Sequence, residues 1–149
     1  MTSQVSPAPR DDLGGAAPNQ AGAASDLGDS PRLVLARYID ATNTHDFDEV
    51  AQVLATNAVY FFGDATCRGV REVREYFERT WRAIPDEIYA AEDVSWVAEG
   101  SDAAVATYTY RWSGTINGAP ASGSGRATNV FRRADEGWRL VHEHLSGAP

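Results

Sequence analysis

From Ile88 to Leu145 the chain is almost continuously strand-like, and this constrains the fold more than any other feature. The four runs Ile88–Val97, Ala103–Ser113, Ala121–Arg133 and Trp138–Leu145 are rich in Val, Thr, Tyr and Trp. Asn117-Gly118 is a strong hairpin signal, and Asp135-Glu136-Gly137 marks a second turn. Runs joined this tightly form an antiparallel meander. Strands of ten or more residues in a small domain must bend around something, and Gly123 and Gly125 are placed to allow that bend. Alternation is less regular around Ala90-Ala91-Glu92.

What the strands bend around is written upstream. Ser30-Pro31 is a helix start, with serine at the cap and proline at the first helical position. Val34, Leu35, Tyr38, Ile39 and Thr42 then share one helical face, and Asn43-Thr44-His45 ends the helix. Asp46, with Glu49 three residues on, resembles a capping box and starts a shorter helix that buries Phe47, Val50, Val53 and Leu54. Ala58–Phe62 reads as a strand closed by Gly63-Asp64. Val70–Ala83 reads as a third helix, with Val73, Phe77 and Trp81 inward and i,i+4 Arg/Glu pairs outward, stopped by Pro85. The order α-α-β-α-β-β-β-β is an α+β pattern.

The chain has 149 residues, enough for one core rather than two. A formal net charge of −8 repels phosphate backbones and anionic lipid, so neither nucleic acid nor membrane is an expected partner. Residues 1–30 contain no aromatic residue and read as a disordered tail ahead of a domain over 31–149. They lack the pattern of a secretory signal, and no apolar run approaches the ~20 residues of a membrane span, so a cytoplasmic location is expected. Cys67 is the only cysteine, which excludes an intramolecular disulfide and a thiolate zinc site. Without a partner His or Asn it is no candidate nucleophile.

The segments RLVLARYIDATNTHDFDEVAQVLATNAVYFFG, GVREVREYFERTW and GRATNVFRRADEGWRLVHEHLSGAP resemble the SnoaL-like branch of the nuclear transport factor 2-like superfamily, over about Arg32 to Ala148. The resemblance implies a cone: three N-terminal helices packed in a curved, mainly antiparallel sheet. Within that superfamily a gapless match to ketosteroid isomerases puts Tyr38 at the oxyanion-hole tyrosine, Phe62 at the general base and Asn129 near the protonated acid. The base of the standard isomerase reaction is therefore absent. WRLVHEHLSGAP is similar to the end of the calcium/calmodulin-dependent kinase II association domain, whose basic pocket positions match Val73, Thr109, Asn129 and Leu145, none of them cationic. SnoaL-like polyketide cyclases use Asp and His, and no catalytic Asp can be matched.

Several residues could carry chemistry. His142 and His144 alternate, so they share a face with Trp138 and Leu140, while Glu143 points the other way. They are candidate acid/base groups or a packed pair. A metal would need a further ligand, and the only other histidine is His45, so no metal and no cofactor are expected. Tyr38, Phe62, Trp81 and Asn129 are the candidate ligand-binding residues, with Tyr38 a candidate catalytic group as well. Tyr108, Tyr110 and Trp112 form a stripe on one face of a strand, which lines a pocket or packs on a second subunit; the dimer interface is favoured. The expected function is binding of a small apolar or amphipathic molecule in an apolar pocket, by a homodimer. The alternatives are an acid/base enzyme of the cyclase or isomerase type and a non-catalytic oligomerisation module.

Overall fold

The computed structural model describes residues 29–149. The tail expected over 1–30 lies almost wholly outside the described residues. Helix α1 spans Pro31–Thr44; the Ser30 side chain accepts from the Leu33 amide, and His45 closes the helix in the left-handed conformation (φ 57°), where its own amide reaches back to Thr42 O. Helix α2 covers only Phe47–Ala51. Its cap Asp46 accepts from Asp48 N at 2.9 Å, so Glu49 completes no capping box. Val53 and Leu54 are buried as expected, but Leu54 already opens strand β1, Leu54–Phe61. A short strand β2, Thr66–Arg68, was not foreseen; it carries Cys67, which is buried. Helix α3 spans Val70–Ala83 and buries Val73, Phe77 and Trp81.

Strands β3 (Ile88–Glu99), β4 (Ala103–Ile116), β5 (Ala119–Ala134) and β6 (Gly137–Gly147) complete a six-stranded sheet ordered β2-β1-β6-β5-β4-β3. All pairs are antiparallel except β1 with β6. Asn117 (φ 51°) and Gly118 (φ 79°) form the two-residue turn between β4 and β5, where both central residues need positive φ. The irregularity of β3 falls at Asp93, whose φ of 53° marks a break in register between Glu92 and Ser95.

The concave face of the sheet holds the helices: α1 lies against β3 and β6, and α3 against β1 and β2. The core between them includes Val34, Tyr38, Val50, Tyr60, Val73, Phe131 and Leu140, all essentially without solvent contact. No described helix is long and apolar enough to cross a membrane.

One irregularity in β6 decides which side chains enter that interior. Phe131 pairs with Leu140 and Val130 with His142, so Val141 is an extra residue with no partner on β5. Trp138 and Leu140 point inward. After the bulge the phase is reversed, and Glu143 points inward in place of a histidine. The shared face expected for Trp138, Leu140, His142 and His144 is therefore wrong from Val141 onward.

Candidate functional site

A cavity of about 290 Å³ opens between α1, α3 and the concave sheet. Tyr38 and Thr42 enter from α1; Tyr76, Phe77, Thr80 and Trp81 from α3; Tyr89, Tyr110, Trp112, Glu143 and Leu145 from the long strands. Each position follows from local periodicity. Tyr38 and Thr42 are one helical turn apart, as are Phe77 and Trp81, while Tyr110 and Trp112 are two apart on β4.

Glu143 is the centre of the site. It is 2% exposed on β6, beside Tyr60 on β1 and opposite Asn129 on β5. Its Oε2 accepts from the Tyr38 hydroxyl and its Oε1 from the Tyr108 hydroxyl, both at 3.2 Å. With the Asn129 amide nitrogen turned toward it, Asn129 donates to the same Oε1 at 3.2 Å and to Thr128 O. The Tyr89 hydroxyl lies 3.5 Å from that of Tyr108 and extends the chain. The Tyr60 hydroxyl, also fully buried, has no hydrogen-bond partner.

Two opposed effects act on this carboxyl. Burial disfavours its charge, while the donors Tyr108, Tyr38 and Asn129 favour it; burial prevails and the pKa is pushed up to about 7. Burial, and then the Glu143 charge, push the phenols of Tyr38, Tyr60, Tyr89 and Tyr108 well above their ordinary value. These tyrosines thus stay protonated while the carboxyl titrates near neutrality. Glu87, at the cavity rim, is also raised by burial, with His45 pulling the other way.

The candidate residues divide clearly. Tyr38, Phe62 and Trp81 line the cavity. Phe62 stacks on Tyr76 with centroids 3.7 Å apart, and Trp81 stacks on His45 at 5.1 Å. Asn129 is fully buried and meets Glu143 rather than the cavity space. His142 and His144 lie on the outer face of the sheet. His142 donates from Nδ1 to Val59 O at 2.7 Å, both rings pack edge-on against Phe61, and His144 is exposed. As acid/base candidates they are ruled out for this cavity, because the bulge at Val141 turns them away from it. The stripe Tyr108, Tyr110 and Trp112 is corrected too: it faces the interior, with Tyr108 4% exposed and the other two lining the cavity. Among the described residues no three His, Cys, Asp or Glu side chains gather as a metal site requires.

Sequence reasoning missed Glu143. A signal was present: placing Glu143 opposite the histidines made it the inward residue once the histidines face out, and a bulge of one residue is all that separates the two readings.

A concave sheet closed by helices over an aromatic cavity with one buried carboxyl defines a cone domain of the nuclear transport factor 2-like class. A family model described as the SnoaL-like domain matches residues 32–149, and the chain belongs to that family. Solved structures agree on the fold. A nuclear transport factor 2-like superfamily protein from Salmonella enterica serovar Typhimurium is 21% identical with a TM-score of 0.75, covering 85% of this chain and 94% of that one. A protein from Streptomyces avermitilis described as a candidate dehydratase of the NTF2-like family is 22% identical with a TM-score of 0.68, covering 78% and 93%. The CaMKII hub of S. rosetta is 20% identical with a TM-score of 0.67, covering 77% and 92%. No curated protein matches the chain at a significant level.

Proposed function

We propose that the protein binds a small, largely apolar molecule carrying one polar group in the cavity of the cone, with Glu143 as the polar anchor. The observation behind this reading is the fully buried carboxyl in the wall of a cavity lined mostly by aromatic and apolar side chains. Such a group costs stability, and a few convergent polar atoms in an apolar concavity are what ligand sites use for orientation. The test is displacement of the neutral fluorophore N-phenyl-1-naphthylamine. One probe per chain should bind, and Thr80→Trp, which fills the cavity from α3, should abolish binding while the fold persists. Equal binding by that variant would refute the reading.

A second reading is favoured by the Glu143 pKa of about 7. A carboxyl half-ionised near neutral pH, with the Tyr38 hydroxyl beside it, suits general acid/base catalysis of the cyclase or isomerase kind. The printed description of the S. avermitilis neighbour as a dehydratase is compatible with this. Deuterium exchange at the α-carbon of small ketones in D2O, followed by NMR, tests it: exchange should vanish in Glu143→Gln, and its absence in the wild type removes the reading.

Oligomerisation belongs to the same proposal. The S. rosetta neighbour is named a hub, and the outer face of the sheet offers half-exposed Phe61 with His142 and His144 for contact with a second copy. We place the homodimer interface there. A cytoplasmic location completes the proposal and is checked by fractionating the native host.

A further inference from the structure

The lining of the cavity is unbalanced in charge and in hydrogen-bonding groups. Its ionisable side chains, apart from tyrosines, are Glu143 and Glu87; no Arg, Lys or His contributes. The groups facing Glu143 from the packed elements are Tyr38 of α1, Tyr60 of β1, Tyr89 of β3, Tyr108 of β4 and Asn129 of β5, none of them cationic. Arg79 lies over the Tyr76 ring at 5.1 Å and His45 stacks on Trp81 beside Glu87, but neither lines the cavity.

Four of the lining hydroxyls donate within the protein. Tyr38 donates to Glu143, Thr42 to Tyr38 O, Tyr76 to Asp64 and Thr80 to Tyr76 O. The protons of these four are spent inside the protein, and the charge of the lining is carried by carboxyls alone. An anion meets repulsion there. A neutral acceptor is left the Tyr110 hydroxyl and the Trp81 and Trp112 indole N–H groups of the lining, but no charge to attract it. An ammonium group has three donors, no acceptor and a charge that carboxylates and aromatic rings both attract.

We propose that the cavity takes an organic cation, an apolar amine whose ammonium group sits against the Glu143 carboxylate and whose hydrocarbon part lies among Trp81, Trp112, Tyr89 and Tyr110. This rests on the binding reading above and gives its ligand class. The bound cation supplies the counter-charge that the folded chain lacks around Glu143. The carboxyl then ionises more readily, and affinity rises as pH is raised through neutrality until the amine itself loses its proton.

The test uses three compounds on one skeleton: tryptamine (cation), tryptophol (neutral alcohol) and indole-3-propionate (anion), titrated calorimetrically into the full chain at pH 7.5. Tryptamine should bind at least about ten-fold more tightly than tryptophol, a gap of about 1.4 kcal/mol, and indole-3-propionate should be weakest. In Glu143→Gln the preference for the amine over the alcohol should disappear while tryptophol still binds. Equal or tighter binding of tryptophol or the acid overturns the cation proposal and leaves the binding reading standing. An amine preference unchanged in Glu143→Gln overturns the placement at Glu143. No binding by any of the three overturns both readings. If Glu143→Gln does not fold, the ranking on the wild-type chain decides alone.

Discussion

At the scale of single residues, Glu143 should be visible in the pH dependence of stability. Its pKa is about 7 in the fold against an ordinary value of 4.5. Between those values the folded chain holds a proton that the unfolded chain has released. Stability therefore falls as pH rises through this window, by roughly 3 kcal/mol, and the contribution is flat above it. Glu143→Gln removes the titration but keeps a side chain of the same shape. Urea denaturation at pH 5 and pH 8 should show the wild type losing a few kcal/mol relative to the variant; parallel profiles would show that the carboxyl is not held protonated. Tyr38→Phe should act in the opposite sense to a neutralised carboxyl. It deletes a donor to the charged form, so it should cost about 1–2 kcal/mol at pH 8 and less at pH 5, where Glu143 carries its own proton.

At the scale of elements, the bulge in β6 and the glycines of β5 shape the cavity. His142 and His144 lie outside it, so His142→Ala and His144→Ala should leave probe affinity within about two-fold; His142→Ala should also cost about 1 kcal/mol in stability for its bond to Val59 O. A large loss of affinity in either would mean that β6 is out of phase with the description above. Gly125 faces the interior, where a methyl group would run into the backbone oxygen of Ser146 and the Tyr110 ring. The backbone on one side cannot yield, so Gly125→Ala should destabilise by about 1–3 kcal/mol. Gly123 differs, because the atoms nearest its added methyl belong to the Trp112 indole, a side chain and not backbone. Gly123→Ala should move that ring and alter ligand affinity more than stability, which a paired melting and titration measurement will resolve.

At the scale of the whole molecule, two expectations can be separated by simple means. Light scattering should give about twice the 16.1 kDa chain mass if the outer sheet face pairs with a second copy. Phe61→Glu should then return it to the monomer mass without loss of folding, since Phe61 is 37% exposed in the single chain. A monomer in the wild type at micromolar concentration would contradict the pairing. A chain beginning at Asp29 keeps the Ser30 cap on α1, and on composition the preceding residues have no aromatic side chain and few apolar ones beyond alanine to add to a core. It should match the full chain in melting temperature and in mass.

Local patterns were sufficient for most of the architecture. Periodicity at 3.6 residues placed Tyr38, Phe77 and Trp81 on inward faces, Asn117-Gly118 placed the hairpin, and four long strands after a helix pair implied a curved sheet around helices. These signals are local because each depends on side chains a few residues apart. The short strand β2 was illegible, since three residues pairing with β1 carry no period of their own. The assignment of faces in β6 depended on one residue, Val141, which has no partner on β5, and such a bulge is set by how the strand pairs with its neighbours rather than by its own sequence. That pairing turned two histidines outward and Glu143 inward. The interior placement of Tyr108, Tyr110 and Trp112 was likewise left open by alternation, which says that they share a face and not which one. The site is made of groups more than a hundred residues apart, Tyr38 and Glu143 above all, and only the folded sheet, by curling over the helices, brings them within hydrogen-bonding distance and excludes the water that would otherwise hold the carboxyl at its ordinary pKa.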